Sequence, residues 1–391
     1  MSWELKSLDQ LGHVSRGRSR HRPRDAAHLY GGAYPFIQTS DVKHAGLYLT
    51  EHSQTYSEEG LAQSRLWESG TLCITIAANI ADTAILGIDA CFPDSVIGFI
   101  PEKDKSDARF VKYLFDIHLQ RRYKKFTQGA AQDNLSQGKL LSLKFPVPGI
   151  HEQRVIADKL SAYDDLIENN RRRIQLLEQA ARLLYKEWFV HLRFPGHEHA
   201  TIADGVPEGW EKKPLSEIAD ITMGQSPKSI YYNEDGNGLP FHQGVTNFGV
   251  RFPSHQTFCT VQNRLAEPDD ILFSVRAPVG RINITIDKIV IGRGLSAIRS
   301  KLCQQNLLFY ALKSHFFKED MMGGGAIFAA ITKKDLHGVE LMQAPDRIAD
   351  MFMEHVRPID LQIENLQQII DDLTQARDLL LPRLMNGEVA V

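Results

Sequence analysis

The sequence has no long hydrophobic run, no cluster of cysteines and no excess of one charge. No stretch of about 18 uninterrupted apolar residues occurs, which excludes a membrane-spanning helix. The first ten residues have neither a basic nor an apolar segment, so we expect no signal peptide and a cytoplasmic location. The cysteines lie far apart, at positions 73, 91, 259 and 303, which predicts reduced, buried thiols and neither a disulfide framework nor a zinc site.

The charge distribution carries more information than the net charge of −3. Residues 346–391 hold nine acidic and four basic residues, whereas residues 1–24 hold two acidic and six basic residues. The balance of the whole chain therefore does not decide for or against a nucleic-acid partner. With 43% hydrophobic and 24% charged residues, the 391-residue chain is globular and long enough for two or three domains.

An internal repeat organises the chain. At an offset of 207, Trp3, Glu4, Leu8, Gly17 and Ser19 recur as Trp210, Glu211, Leu215, Gly224 and Ser226. Pro35-Phe36-x-Gln38 recurs as Pro240-Phe241-x-Gln243, and Gly129-Ala130 recurs as Gly325-Ala326. Each copy of about 190 residues begins with short β-rich runs, continues with a helical segment (110–125 or 306–319) and ends in one long helix.

The two terminal helices carry apolar residues at alternating spacings of four and three, which predicts a coiled-coil seam. We assign the seam to Ile156, Leu160, Tyr163, Ile167, Asn170, Ile174, Leu177 and Leu184 in the first helix, and to Ile363, Leu366, Ile370, Leu373 and Leu380 in the second. The alternative is two separate amphipathic helices, each covering its own domain. We expect Asn170 to fix the register, Pro358 to delay or kink the second helix, and Pro382 to end it early.

Catalytic and phosphate-binding motifs are missing. The sequence contains no GxxxxGK[ST], no GxSxG, no GxGxxG between a strand and a helix, and no Asn/Asp-Pro-Pro-aromatic motif of a base methyltransferase. His197-Glu198-His199 lies in a linker with Pro and Gly, without a third ligand at usable spacing, which favours a solvated linker over a metal site. We therefore predict no catalytic, cofactor or metal residue in this chain.

Basic clusters are the candidate binding residues. Arg16, Arg18, Arg20, Arg22 and Arg24 alternate with uncharged or weakly basic residues, which would let an extended loop follow DNA phosphates or enter a groove. Further candidates are Lys124 and Lys125 at a helix end, and Arg276, Arg281 and Arg293 in the second copy. Each cluster has the alternative of being a solvated surface. The run 171–173 (RRR) falls on outer positions of the helix, which indicates a solvated face or a partner contact.

The chain resembles the specificity subunit of type I restriction-modification systems over essentially its full length. The resemblance is carried by residues 129–136 (GAAQDNLS), 145–148 (FPVP), Glu152-Gln153-x-x-Ile156, and the linker 206–211 (VPEGWE). The second copy departs from the pattern, with 329–332 (AAIT) in place of Asp-Asn-Leu-Ser and with 344–347 (APDR) at the entry to its helix.

The resemblance implies an α+β protein, in which two β-rich target-recognition domains are joined by two long antiparallel coiled-coil helices with pseudo-two-fold symmetry. We expect domains at 1–148 and 210–344, helices at 149–195 and 345–391, and a linker at 196–209. Each domain would read one half of a bipartite double-stranded DNA site. The helices would set the spacing between the halves and dock two methylation subunits.

The resemblance also implies that restriction subunits join that core, and that S-adenosylmethionine, ATP and Mg²⁺ belong to the partner subunits. The chain itself would have no catalytic role. Two alternatives stay open from the residues alone: a self-sufficient DNA methyltransferase or nuclease, and a coiled-coil adaptor without a DNA role.

Overall fold

The computed structural model describes residues 3–77, 80–120, 135–316 and 330–389. The chain divides into two compact units. The first combines Met1–Arg173 with Leu366–Val391, and the second is Ile174–Asn365. Both units mix helices with sheets, as the α+β prediction requires.

The first unit contains three sheets. Its strands are β1 (Glu4–Lys6), β2 (Gly12–Arg16), β3 (Tyr30–Phe36), β4 (Tyr48–Leu49), β5 (Gln54–Tyr56), β6 (Leu66–Trp67), β7 (Leu72–Thr75), β8 (Thr83–Leu86), β9 (Ala90–Cys91), β10 (Val96–Pro101) and β11 (Phe145–Val147). The sheet orders are β1-β11, β2-β10-β7-β8-β4 and β5-β3-β9-β6. The helices are α1 (Thr39–His44), α2 (Glu58–Ala62), α3 (Ala108–Phe115) and α4 (Gln137–Ser142), and the long helix α5 (Ile150–Tyr185) begins here.

The second unit has the same kinds of element. Its strands are β12 (Ile202–Ala203), β13 (Val206–Pro207), β14 (Glu211–Pro214), β15 (Ala219–Met223), β16 (Tyr232–Asn233), β17 (Leu239–His242), β18 (Phe258–Cys259), β19 (Leu265–Ala266), β20 (Ile271–Ser274), β21 (Ile282–Ile284), β22 (Ile289–Ile291), β23 (Leu295–Ser300) and β24 (Glu340–Gln343). The main sheets are β15-β23-β20-β21 and β16-β18-β17-β22-β19. The helices are α6 (Leu215–Ile218), α7 (Gln305–Phe316) and α8 (Lys333–His337), and the long helix α9 (Asp346–Met385) begins here.

The two units repeat one strand arrangement. In the first unit β10 pairs antiparallel with β2 and β7, and β7 pairs antiparallel with β8. Strands β23, β15, β20 and β21 repeat these pairings in the second unit. The parallel pair of β3 with β9 recurs as β17 with β22. The repeat read from the sequence is therefore a repeat of the fold.

A matched glycine follows β2 and β15 because the chain there lies against a neighbouring backbone. A Cβ on Gly17 would lie 2.3 Å from the carbonyl oxygen of Pro93, and a Cβ on Gly224 would lie 2.2 Å from that of Gly292. No other residue type fits so close an approach. The same backbone path is thereby kept in both units.

The heptad face of each long helix is its less exposed face. Ile156, Leu160, Ile167, Asn170, Ile174, Ile363, Leu366 and Ile370 are buried, and Tyr163, Leu177, Leu184, Leu373 and Leu380 are half-buried. Leucines outside this face lie in solvent, for example Leu166 at 51% and Leu176 at 59% exposure. The seam positions are thus the less exposed positions of the helices, while their assembly into a coiled coil stays a prediction.

The ends of the long helices complete the cores. In the first unit Leu384 and Met385 of α9 belong to one core cluster with Ile156 and Leu160 of α5. In the second unit the segment after α5 packs on the start of α9, with the rings of Phe189 and Phe352 5.0 Å apart.

The predictions that Pro358 delays the second helix and that Pro382 ends it early are wrong, and a kink at Pro358 stays a prediction. Helix α9 runs without interruption from Asp346 to Met385, so neither proline delays, breaks or ends it. Each proline removes one intrahelical hydrogen bond. Burial of apolar side chains on the same helix, such as Val356 and Leu384, offsets that loss.

The cysteine prediction holds for three of the four residues. Cys73, Cys91 and Cys259 are buried free thiols, but Cys303 is exposed, in the turn between β23 and α7. Burial raises the pKa of the Cys73 thiol. Among the described residues, none of the helices combines the length and the apolar character that a bilayer crossing requires.

Candidate nucleic-acid interface

The arginines of residues 16–24 are all exposed, on a segment that is extended as far as residue 21 and turns at residues 22–25. Arg16, Arg18, Arg20, Arg22 and Arg24 are exposed, whereas the alternate residues at 17 and 19 are buried and the one at 21 is half-buried. Successive side chains of an extended backbone point in opposite directions, which explains this alternation. The segment therefore presents a row of guanidinium groups to solvent.

Asp94, which was not predicted from the sequence, accepts hydrogen bonds from two of these arginines. Arg16 Nε donates to the Asp94 carbonyl oxygen at 2.9 Å, and Arg24 Nη2 donates to both Asp94 carboxylate oxygens at 2.9 Å. Arg22 donates to two carbonyl groups of its own segment. Within the part of the chain that the structure describes, the side chains of Arg18 and Arg20 have no hydrogen-bond or ion-pair partner, and they are the cations most available to a ligand.

The basic candidates of the second unit are exposed, namely Arg276, Arg281 and Arg293. Two neighbours in the same basic stretch are engaged, because Lys288 pairs with Glu267 at 2.8 Å and Arg299 pairs with Asp270 at 2.6 Å. Lys124 and Lys125 lie outside the described residues.

The loops after the matched glycines are held in the same way. The backbone N–H of Arg18 donates to the carbonyl oxygen of Phe92, and that of Gln225 donates to the carbonyl oxygen of Ile291, both at 3.0 Å. The following serine is anchored by its side chain in each unit, with Ser19 Oγ 3.4 Å from Tyr56 Oη and Ser226 Oγ donating to Gln243 Oε1 at 2.8 Å.

In the second unit a buried histidine, His242, contacts the half-buried His255. His242 Nε2 lies 2.9 Å from His255 Nδ1, and His255 Nε2 lies 3.0 Å from Asp287 Oδ2. Burial, with a smaller effect from His255, lowers the pKa of His242 to about 4, so its imidazole is neutral at physiological pH. The repeat places Ile37 at the position of His242, and the fold therefore does not require a histidine there.

A tyrosine–aspartate hydrogen bond joins a shorter helix to a long helix in each unit. Tyr113 of α3 donates to Asp164 of α5, and Tyr310 of α7 donates to Asp360 of α9. The aspartates are 196 positions apart, the offset of the long helices. Burial, followed by the charge of the aspartate, raises the pKa of Tyr113, and burial is also the largest cause for Tyr310. Both hydroxyls thus stay protonated donors.

The aspartate of each tyrosine–aspartate hydrogen bond also pairs with an arginine, and the two arginines come from different parts of the fold. In the first unit Arg377 of α9 pairs with Asp164 and with the exposed Asp378. In the second unit the partner of Asp360 is Arg251, from the loop after β17. That loop arginine has no counterpart among the residues that contact Asp164.

Arg251 is the centre of a buried charged network. It is 2% exposed and contacts Glu178 and Asp360, and its Nη2 donates to Tyr310 Oη at 2.6 Å. Lys313 Nζ donates to Glu178 Oε2 at 3.0 Å. Burial acts to raise the pKa of Glu178, but the charges of Arg251 and Lys313 outweigh it and lower that pKa. The network thus favours the ionised form of the Glu178 carboxylate inside the second unit.

The described residues contain no group of three or more His, Cys, Asp or Glu side chains that could hold a metal ion. Residues 197–199 form an exposed helical turn.

Comparison with known proteins gives the family of the chain. The family model described as type I restriction modification DNA specificity domain matches it twice, over residues 1–179 and 207–375. The chain belongs to this family. The protein is therefore a type I restriction-modification DNA specificity subunit. The family resemblance found in the sequence is confirmed.

Two curated relatives come from Methanocaldococcus jannaschii. The specificity subunit is 33% identical to the putative type I restriction enzyme MjaX specificity subunit, in an alignment that covers 100% of this chain and 94% of that one. It is 26% identical to the MjaIX specificity subunit, with the same coverage. The crystal structure of the S subunit from M. genitalium shares the fold, with a TM-score of 0.59, 17% identity and coverage of 98% and 96%.

Proposed function

We propose that this specificity subunit is a non-catalytic targeting protein, in which each recognition half reads one half of a bipartite double-stranded DNA site. The repeated fold is the observation that carries the proposal. Both copies hold the loop after the matched glycine by equivalent backbone hydrogen bonds and expose a polar side chain from it. Two equivalent DNA-contacting loops can bind the two halves of a bipartite DNA site.

The long helices are proposed to pair as an antiparallel coiled coil that sets the distance between the half-sites. Support comes from within each unit, where the end of one long helix packs beside the start of the other. Exposed leucines outside the seam, such as Leu176, Leu183 and Leu379 at 57–65% exposure, offer apolar contacts for two methylation subunits.

The other partners follow from the same assignment. Restriction subunits would join the methylation core, and S-adenosylmethionine, ATP and Mg²⁺ would be bound by those partners. The complex would act in the cytoplasm, where the DNA is.

Removal of two arginines that make no ion pair in the described structure is expected to weaken DNA binding. The double substitution Arg20→Gln and Arg22→Gln should lower the slope of log affinity against log salt by about one unit for each lost phosphate contact, because fewer counterions are released. The measurement is the DNA affinity of the full chain, assembled with its methylation subunits, at several salt concentrations.

The matched control removes two charges elsewhere, with Lys212→Gln and Lys333→Gln, both exposed in the second unit. It should leave the slope unchanged. A loss of affinity with an unchanged slope in the arginine variant would show that residues 20–22 support the loop and do not contact phosphates.

Lengthening both long helices by one heptad is expected to widen the gap between the half-sites. Seven residues inserted between Arg173 and Ile174 and seven between Asn365 and Leu366, at the limits of the two units, add about 10 Å, or about three base pairs. About three added base pairs also rotate one half-site relative to the other by roughly three-tenths of a turn around the DNA axis. Some loss of activity therefore accompanies the wider gap. Methylome sequencing reads the gap directly.

Four-residue insertions at the same places are the control. They rotate the apolar positions off the seam and should loosen the fold. An active complex with an unchanged gap after the double heptad insertion would contradict the spacing role and assign the spacing to the methylation subunits.

A further inference from the structure

The position directly after the matched glycine carries Arg18 in the first unit and Gln225 in the second. Both side chains are exposed, and neither has a hydrogen-bond partner within the described parts of the chain. Both backbones are fixed by an N–H donated at 3.0 Å to the neighbouring sheet, and the next residue is an anchored serine. A free side chain on a rigid backbone is the arrangement that specific recognition needs.

The remaining arginines of the first segment have no such equivalents. From Ser19 to Pro35 is 16 positions, whereas from Ser226 to the matched Pro240 is 14. The first unit therefore has two extra residues here, and Arg20, Arg22 and Arg24 lie in the connection whose length differs. Among these arginines, only Arg18 lies in the part of the loop that both units share and has a hydrogen-bonding side chain, Gln225, at the matched position of the second unit.

The two residue types have distinct partners in the major groove of DNA. An arginine guanidinium donates two hydrogen bonds to O6 and N7 of guanine, and a glutamine amide both donates to N7 and accepts from N6 of adenine. Nearby cations can hold the phosphates on either side, namely Arg16 and Arg20 in the first unit and Arg293 in the second. In the second unit the Arg293 backbone N–H donates to Ser226 Oγ at 3.1 Å, which places this cation's backbone beside residue 225.

We infer that Arg18 and Gln225 are base-reading residues at equivalent places in the two recognition domains, with Arg18 reading a guanine and Gln225 an adenine. The inference rests on the proposed function, since it requires each domain to read one half-site. It assigns one specified base pair in each half of the methylated motif to a single side chain.

Reciprocal substitutions test the inference in the complete complex. Arg18→Gln should change one position in one half of the methylated motif from guanine toward adenine, and Gln225→Arg should change one position in the other half from adenine toward guanine. One bidentate contact corresponds to a preference of about fivefold to 150-fold for the right base. Methylome sequencing measures both halves in one experiment.

Arg22→Gln and Lys228→Gln are the matched controls, because both lie close by in the same loops. They should leave the motif unchanged. The melting temperature of each variant establishes that it is folded, and the two substitutions lie in different domains, so failure of one to fold leaves the other informative.

The outcomes separate the inference from the proposed function. A changed base at one position per half supports both. An unchanged motif with uniformly weaker methylation in a folded variant overturns the base-reading role and leaves the targeting function intact. If the wild-type complex methylates no bipartite motif, the proposed function fails, whatever the variants do.

Discussion

Replacement of Arg251 by methionine is expected to destabilise the second unit by about 3–5 kcal/mol. Methionine has a similar length but leaves the Asp360 carboxylate, 11% exposed, without Arg251, and it leaves the buried Glu178 with Lys313 alone. It also leaves Tyr310 without the N–H donor at 2.6 Å. An uncompensated buried charge costs far more than the loss of a surface ion pair. Urea unfolding of the full chain, followed by fluorescence and circular dichroism, measures the change.

Two further variants are the controls. Arg264→Met removes an exposed arginine of the same unit and should change stability by less than about 0.5 kcal/mol. Arg377→Met alters the corresponding junction of the first unit, where the arginine is 26% exposed and Asp378 is in solvent, so its cost should lie between the two. An Arg251→Met variant as stable as Arg264→Met would show that packing alone holds this junction.

The same network predicts a pH dependence. Since the pKa of Glu178 is lowered in the folded protein from 4.5, its ionised form contributes stability above about pH 4.5 that is lost as the pH falls through the folded pKa. The Arg251→Met variant should lose the share of this acid sensitivity that Arg251 causes, while the share caused by Lys313 remains.

Exchange of residues 1–148 for the corresponding domain of a relative is expected to replace one half of the methylated motif and to preserve the other. The physical reason is that the second unit keeps its own sheets, loops and core, from Ile174 to Asn365. Methylome sequencing of cells that carry the hybrid chain and its methylation partner gives the result.

The reciprocal exchange of residues 210–344 is the matched control and should change the opposite half. Loss of both halves in a folded, active hybrid would contradict the modular interpretation. The two hybrids together also establish which half each domain reads.

The repeat could be predicted from the sequence because its markers are residues with local physical causes. Gly17 and Gly224 recur because a Cβ would strike a carbonyl oxygen, and the heptad leucines and isoleucines recur because they face a core. Such constraints act at fixed positions along the chain. They therefore appear in one sequence as an offset of 207 or 196.

The charged contacts could not be predicted, because they join residues distant in sequence. Asp94 pairs with Arg24 across 70 positions, and Arg251 contacts Asp360 across 109. Neither acidic residue belongs to a motif. Likewise, His242 takes the place of a buried isoleucine, and only the structure shows His255 beside it.

The first unit is built from two separate segments of the chain, which determines when it can complete its fold during synthesis. Its core includes Leu384 and Met385, at the end of α9, together with residues from the first sheets, such as Leu72. The ribosome therefore completes the second unit, Ile174–Asn365, before it delivers the segment that closes the first. The unit that begins earlier in the chain is thus closed after the other one, and a chain released before the end of α9 would hold a finished second unit and an unclosed first unit.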